Sequence, residues 1–271
     1  MSSDCFRGAG VVALSLALQL SACSVKEDRQ ACPCFLTLDF SGVDRQELAR
    51  QGLETMEVLV TDGDGSADYQ AWELLERVDE YVVPVSRAGV DVMVVSKDGG
   101  RCDADSGLAI EEGDECPVIY MSSGHYVFDA DEAGLAVTLH KNYCVITVHI
   151  KSSYGIPERP FMIEVDGEID GYSPDGAPRE GPFHSSSAPS LDGLCSIKVP
   201  RQRDSSLWLV VDFLDSSEIR TFPIGEYIAE SGYDWTVEDL EDISVEMDFS
   251  RTGVETAISK WKKTLSFDIT F

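Results

Sequence analysis

The chain has 271 residues, with 21 Lys and Arg against 49 Asp and Glu, for a formal net charge of −28. Acid runs through both halves, which argues against a nucleic-acid partner, since phosphates are met by clustered Lys and Arg. At 43% hydrophobic and 26% charged the composition is that of a folded protein, and no apolar run is long enough to cross a bilayer as a helix.

The first segment reads as an address. Residues 11–20 (VVALSLALQL) form an apolar run of secretory-signal length. Leu20-Ser21-Ala22-Cys23 follows and resembles the bacterial lipobox, in which the signal is cut before a cysteine that receives acyl chains. The expectation is a signal peptide over 1–22 and a tether over 23–33 that holds the protein to the outer membrane through lipid on Cys23. Lys26, Glu27 and Asp28 resemble the charged export tag of surface lipoproteins in Bacteroidota; a plain solvated tether is the other reading. With Cys5 removed and Cys23 acylated, Cys32, Cys34, Cys102, Cys116, Cys144 and Cys195 remain. They are read as structural disulfides or free thiols, with Cys102 and Cys116 as a candidate local pair.

Beyond the tether, period-2 alternation and β-branched runs predict strands at 35–40, 56–61, 80–85, 90–96, 118–121, 125–128 and 135–140. A short helix is predicted within 44–54, with Asp44 as N-cap and Leu48 and Leu53 turned inward. The second half predicts strands at 143–151, 161–165, 196–199, 207–213, 219–222, 243–249 and 265–271. Many short strands bounded by Gly, Asp and Ser point to β-sandwiches, divided near 140/141 into domains 34–140 and 141–271. The stretches 99–115 and 171–193 read as long connections, either functional or disordered.

Catalytic and metal signatures are missing. His125, His140, His149 and His184 form no recognisable ligand set, and no nucleophile elbow, phosphate loop or zinc motif is present. Asp62-Gly63-Asp64-Gly65-Ser66, with Asp68 and Glu73 beyond, has some of the spacing of a calcium loop. Ala67 stands where that loop needs Gly, so a hairpin turn is the better reading. No enzyme activity, cofactor or metal is expected.

Four segments, in order along the mature chain, resemble one family. They are Cys23-Ser-Val-Lys-Glu-Asp-Arg29 with Cys32-Pro-Cys-Phe-Leu-Thr-Leu-Asp-Phe40; Leu139-His-Lys-Asn-Tyr-Cys-Val-Ile-Thr-Val148; Ile224-Gly-Glu-Tyr-Ile228 with Ser231-Gly-Tyr-Asp-Trp235 and Leu240-Glu-Asp-Ile243; and Trp261 ahead of the closing strand. The family is the FimB-type fimbrial anchor lipoproteins of Bacteroidales, which stand at the base of type V pili. The resemblance implies an all-β fold of two tandem transthyretin-like β-sandwich domains. It also implies a role in tethering a fimbria to the outer membrane, with fimbrillin or other pilus shaft subunits as partners joined by strand exchange; control of fimbrial length stays open. In the closing segment Leu265, Phe267, Ile269 and Phe271 alternate with polar residues, as an exchanged strand requires, and as an ordinary final strand would. Shaft subunits of this class are cut after an arginine that follows their first strand, so Arg45 and Arg50 are candidate processing sites, although an anchor is expected to stay whole. A glycan-binding surface lipoprotein using Trp72, Trp208, Trp235 or Trp261 as sugar platforms is the competing reading.

Overall fold

The computed structural model describes residues 32–271 apart from 75, 77, 104, 152–160, 215–218, 249–254, 261–262 and 269–271; for the last two strands it describes the backbone. The order is β1 (Cys34–Asp39), α1 (Arg45–Arg50), β2 (Thr55–Asp62), β3 (Ala67–Glu73), β4 (Glu80–Val85), β5 (Val90–Lys97), β6 (Arg101–Asp103), β7 (Gly107–Ala109), β8 (Ile119–Tyr126), β9 (Glu132–Ala136) and β10 (His140–Lys141). There follow β11 (Tyr143–Lys151), β12 (Phe161–Tyr172), β13 (Pro178–Ser187), β14 (Leu194–Pro200), β15 (Trp208–Phe213), β16 (Ile219–Phe222), α2 (Ile224–Glu230), β17 (Ile243–Asp248), β18 (Glu255–Lys260) and β19 (Lys263–Asp268).

The expected all-β class is observed. Sheet β4-β1-β9 faces sheet β10-β8-β5-β2-β3 across one core, and sheet β14-β11-β17-β18-β19 faces the sheet built on β16-β15-β12-β7-β6, with β13 on β12. The two sandwiches repeat one connectivity. In each, the opening strand (β1 or β11) lies between an antiparallel neighbour (β4 or β14) and a parallel one (β9 or β17). The next two strands form a hairpin in the facing sheet, and the fifth (β5 or β15) pairs with the second. Among the described residues, the β6–β7 hairpin in the first half and the β18–β19 hairpin at the end are strand pairs without a counterpart in the other half.

The β6–β7 hairpin crosses the expected division at 140/141. It pairs β7 with the end of β12, Gly171 opposite Ala109 and Tyr172 opposite Leu108. Two glycines make the close approach: a Cβ on Gly171 would sit 1.9 Å from the Leu108 carbonyl oxygen, and one on Gly107 would sit 2.2 Å from that of Tyr172. The inner strands of the first sandwich's facing sheet are covered on both sides. Val58, Val60, Val92 and Val94 enter the first core, while Leu59, Met93, Val95 and Met121 enter the second. That double burial explains why β5 reads as a near-continuous apolar run instead of an alternation.

Several expectations need correcting. Residues 67–73 form β3, a strand not predicted: it is exposed on most positions and has no β-branched residue to mark it. The predicted strands at 118–121 and 125–128 are one strand, β8, and 135–140 resolves into the shorter β9 and β10. The stretch 171–193 is not a bare connection but carries β13, paired with a β12 that runs far beyond 165 through two register irregularities at Gly167–Gly171. The stretch 99–115 likewise holds β6 and β7. The candidate pair Cys102 and Cys116 is two separate free thiols.

Candidate functional site

In an all-β fold, sheet edges and end strands are the places where another chain's backbone can be taken up. The opening strand is the first such place. On β1 the inward residues Cys34, Leu36 and Leu38 are fully buried, with Phe40 just beyond, while Phe35 on the outer face is 50% exposed. Hydrogen bonding runs along both edges, six residues in register with β4 and five with β9. The groove between β4 and β9 is therefore filled by the chain's own first strand.

Arginine holds both ends of that strand. Before it, the buried Arg87 donates to the carbonyls of Cys32 (2.9 Å) and Asp129 (2.8 Å) and pairs with the Asp131 carboxylate. A guanidinium suits this task, because its rigid fork satisfies several acceptors at once. Burial raises the Cys34 thiol pKa, and the nearby Arg87 charge pulls it back in part. After the strand, Asp44 caps α1 by accepting from Glu47 N at 2.9 Å. Arg45, the first residue of α1, donates to the carbonyls of Leu74 (3.4 Å), Glu76 (2.9 Å) and Val78. Of the two candidate processing residues, Arg45 is thus engaged with three carbonyls, whereas Arg50 is exposed and pairs with Glu47 at 2.8 Å. Sequence reasoning missed Arg87, whose partners lie 42 to 55 residues away along the chain.

The closing hairpin is the second place. β18 pairs antiparallel with β17, and β19 pairs with β18 over six residues, with Leu265 opposite Ile258 and Phe267 opposite Thr256. β19 is the terminal strand of its sheet among the described residues. Leu265 and Phe267 therefore lie on an edge strand, while Ile269 and Phe271 lie outside the described residues, as do Cys23, Lys26, Glu27 and Asp28.

A third feature is a buried hydrogen-bond network within the second half. Tyr172, completely buried, donates from its hydroxyl to the Asn142 carbonyl and accepts from Arg201 N at 2.8 Å. The Arg201 guanidinium donates to Asn142 Oδ1 (3.0 Å) and to the carbonyls of Trp235, Val237 (2.7 Å) and Glu238 (3.0 Å). Trp235 packs edge-on to Tyr233, ring centres 4.7 Å apart, and Trp72 does so on Tyr81 at 5.2 Å. Trp208 is 45% exposed, and Trp261 lies outside the described residues.

The carboxylates of the calcium-like segment hold a hairpin turn and its surroundings. Asp62 accepts from Ser86 N (2.8 Å), Asp64 from Ser66 N (2.9 Å), and Asp68 from the Tyr81 hydroxyl (2.6 Å). Among the described residues no three His, Cys, Asp or Glu are placed to hold a metal ion.

Neither the protein-family models nor the curated proteins yield a match to this chain. Solved structures do. The fimbrial anchor protein Mfa2 from Porphyromonas gingivalis aligns with a TM-score of 0.60 at 11% identity, covering 85% of this chain and 98% of its own. A proposed adhesin from Bacteroides ovatus aligns with a TM-score of 0.60 at 11% identity, covering 87% and 96%. A proposed polysaccharide-binding protein from Bacteroides thetaiotaomicron gives 0.58 at 14%, covering 88% and 98%. At these identities the likeness is one of fold, and it extends over nearly the whole length of each protein.

Proposed function

We propose that this protein is a non-enzymatic surface lipoprotein that anchors a fimbria to the outer membrane, with its domains facing outward and pilus subunits as its partners. The observation that carries the reading is the repeated sandwich whose first groove is self-filled while an extra hairpin, β18–β19, extends the last sheet. A subunit in the middle of a chain formed by strand exchange must give up its first strand to receive a neighbour's. One that keeps β1, clamped by Arg87 and Arg45, terminates such a chain. Lipid on Cys23 would hold that terminus to the membrane. The closing segment, with Leu265, Phe267, Ile269 and Phe271, is the strand offered to the first shaft subunit. The likeness in fold to a fimbrial anchor supports this reading.

The primary test is deletion of the gene, followed by counting fimbriae on cells and in the medium. Shed fimbriae support anchoring, and fimbriae that stay attached in normal number remove it. Truncation before Leu265 tests the donor strand: a folded, shortened protein that still captures shaft subunits rules it out. An N-terminus at Gln46 or Gln51 in mature protein would mark a cleaved shaft or tip subunit instead. The competing polysaccharide-binding reading draws on the half-exposed Trp208 and on the likeness to a proposed polysaccharide binder. Loss of polysaccharide binding in Trp208→Ala would favour it.

A further inference from the structure

We propose that the outer edge of β9 is a second docking edge, taking an extended basic segment of another protein as an added strand antiparallel to β9. This goes beyond the anchor reading, whose pairing element is the closing hairpin.

The backbone geometry defines the edge. Phe35 N donates to the Asp131 carbonyl and Val137 N to that of Asp39, each at 2.9 Å, so the odd-numbered residues of this segment turn their backbone groups toward β1. Strand alternation then turns the N–H and C=O groups of Glu132, Gly134 and Ala136 outward. Among the described residues no strand pairs with them there. The repeat supplies a template for what fits. In the second sandwich β17 holds β11 parallel on one side and β18 antiparallel on the other; β9 holds β1 parallel in the same way, and its other side corresponds to the one β18 covers.

Sequence along the edges supports the assignment independently. Proteins blunt exposed edges with Pro, Lys, bulges or short strands. Here β4 carries Pro84, β14 carries Lys198 and ends at Pro200, β13 is irregular in register, and β6 and β10 are very short. β9 (EAGLA), like the edge strand β3, has no Pro, Lys or bulge; what sets β9 apart is the counterpart position that β18 fills in the second sandwich, and a Cβ added at Gly134 would meet nothing within 4 Å.

The surroundings specify the occupant. At the C-terminal end of β9, Ala136 and Thr138 border an open cleft of about 350 Å³ that continues past Met121, Ser123, Arg201 and Glu238. Exposed Glu132 stands near one end of the added strand's path, where Lys or Arg flanking the segment would be matched in charge; at the other end Glu238 lines the cleft beside His140, which sits on Asp239, and Arg201, whose guanidinium is taken up by backbone carbonyls. A second copy of this chain, at −28, is disfavoured on an acidic edge.

The test uses the full chain and a capped synthetic peptide, KVTVTVK, measured by fluorescence anisotropy. Gly134→Pro removes an outward N–H and blocks the added strand without touching the bonds to β1; Gly134→Ala keeps the N–H. The expectation is binding to wild type and Gly134→Ala, and at least about tenfold weaker binding to Gly134→Pro, the size of roughly one lost ladder bond. Absence of binding to wild type, or equal binding to folded Gly134→Pro, overturns the proposal. Wild-type dimers in sedimentation that Gly134→Pro dissolves overturn it in favour of a second copy. Shaft-subunit capture, measured in parallel, judges the anchor reading on its own: lost capture with intact peptide binding fails the anchor and leaves the edge.

Discussion

Gly171→Ala tests whether the β6–β7 hairpin welds the two sandwiches into one cooperative unit. Gly171 has φ 151°, a conformation an L-residue rarely adopts, and its new Cβ would lie 1.9 Å from the Leu108 carbonyl oxygen, so β7 must move away from β12. The backbone strain costs about 1–2 kcal/mol. Separation also weakens the short β7–β12 ladder and the adjoining bond from Ile110 N to the Asp170 carbonyl, 2.7 Å, at about 1 kcal/mol each. The sum is about 3–4 kcal/mol. With a urea slope of about 3 kcal/mol per molar, the midpoint falls by roughly 1 M. Tryptophan fluorescence during urea unfolding reads this, and wild type should unfold in one transition because the second core includes Leu59, Met93 and Val95 from the first half. An unchanged midpoint and slope in Gly171→Ala would refute the weld.

Other consequences follow from buried groups. In native protein at pH 8, iodoacetamide should label exposed Cys32 and leave Cys116 and Cys144 unmodified until denaturant is added, as read by mass spectrometry. Both are buried; burial pushes the Cys116 thiol pKa well up and the Cys144 thiol to about 12. Arg201→Met should destabilise the fold by about 2–4 kcal/mol, because several carbonyls lose a charged donor, and should open residues 234–238 to limited proteolysis. Asp103 holds the β6–β7 turn: hydrogen bonds from Ser106 keep its carboxyl below the ordinary range. Its stabilising effect is therefore complete above the ordinary pKa of about 4 and is lost as pH falls through the lowered folded value. The drop in urea midpoint between neutral and acid pH should be smaller in Asp103→Asn than in wild type.

Much of the architecture was legible in local chemistry. Alternation in residues 34–39 and 143–151, the Asp44 cap with Leu48 behind it, and the Asp-Gly turn before β3 each carry a signal within a few residues. β3 and β13 were not legible, since one is exposed on most positions and the other is rich in Gly, Pro and Ser; both become strands because β2 and β12 offer them a ladder. The clamps on β1 were hidden as well, for Arg87 and Arg45 find carbonyl acceptors dozens of residues distant.

By itself, then, the sequence determined the strand class, the turns, the acidic surface and the absence of familiar catalytic motifs, because each rests on short-range pattern or on counting. The tertiary structure alone decided the repeat of connectivity, the hairpin that joins the two cores and which edges are left unguarded. Those depend on pairing between residues far apart in the chain, and a strand's own residues do not name its partner.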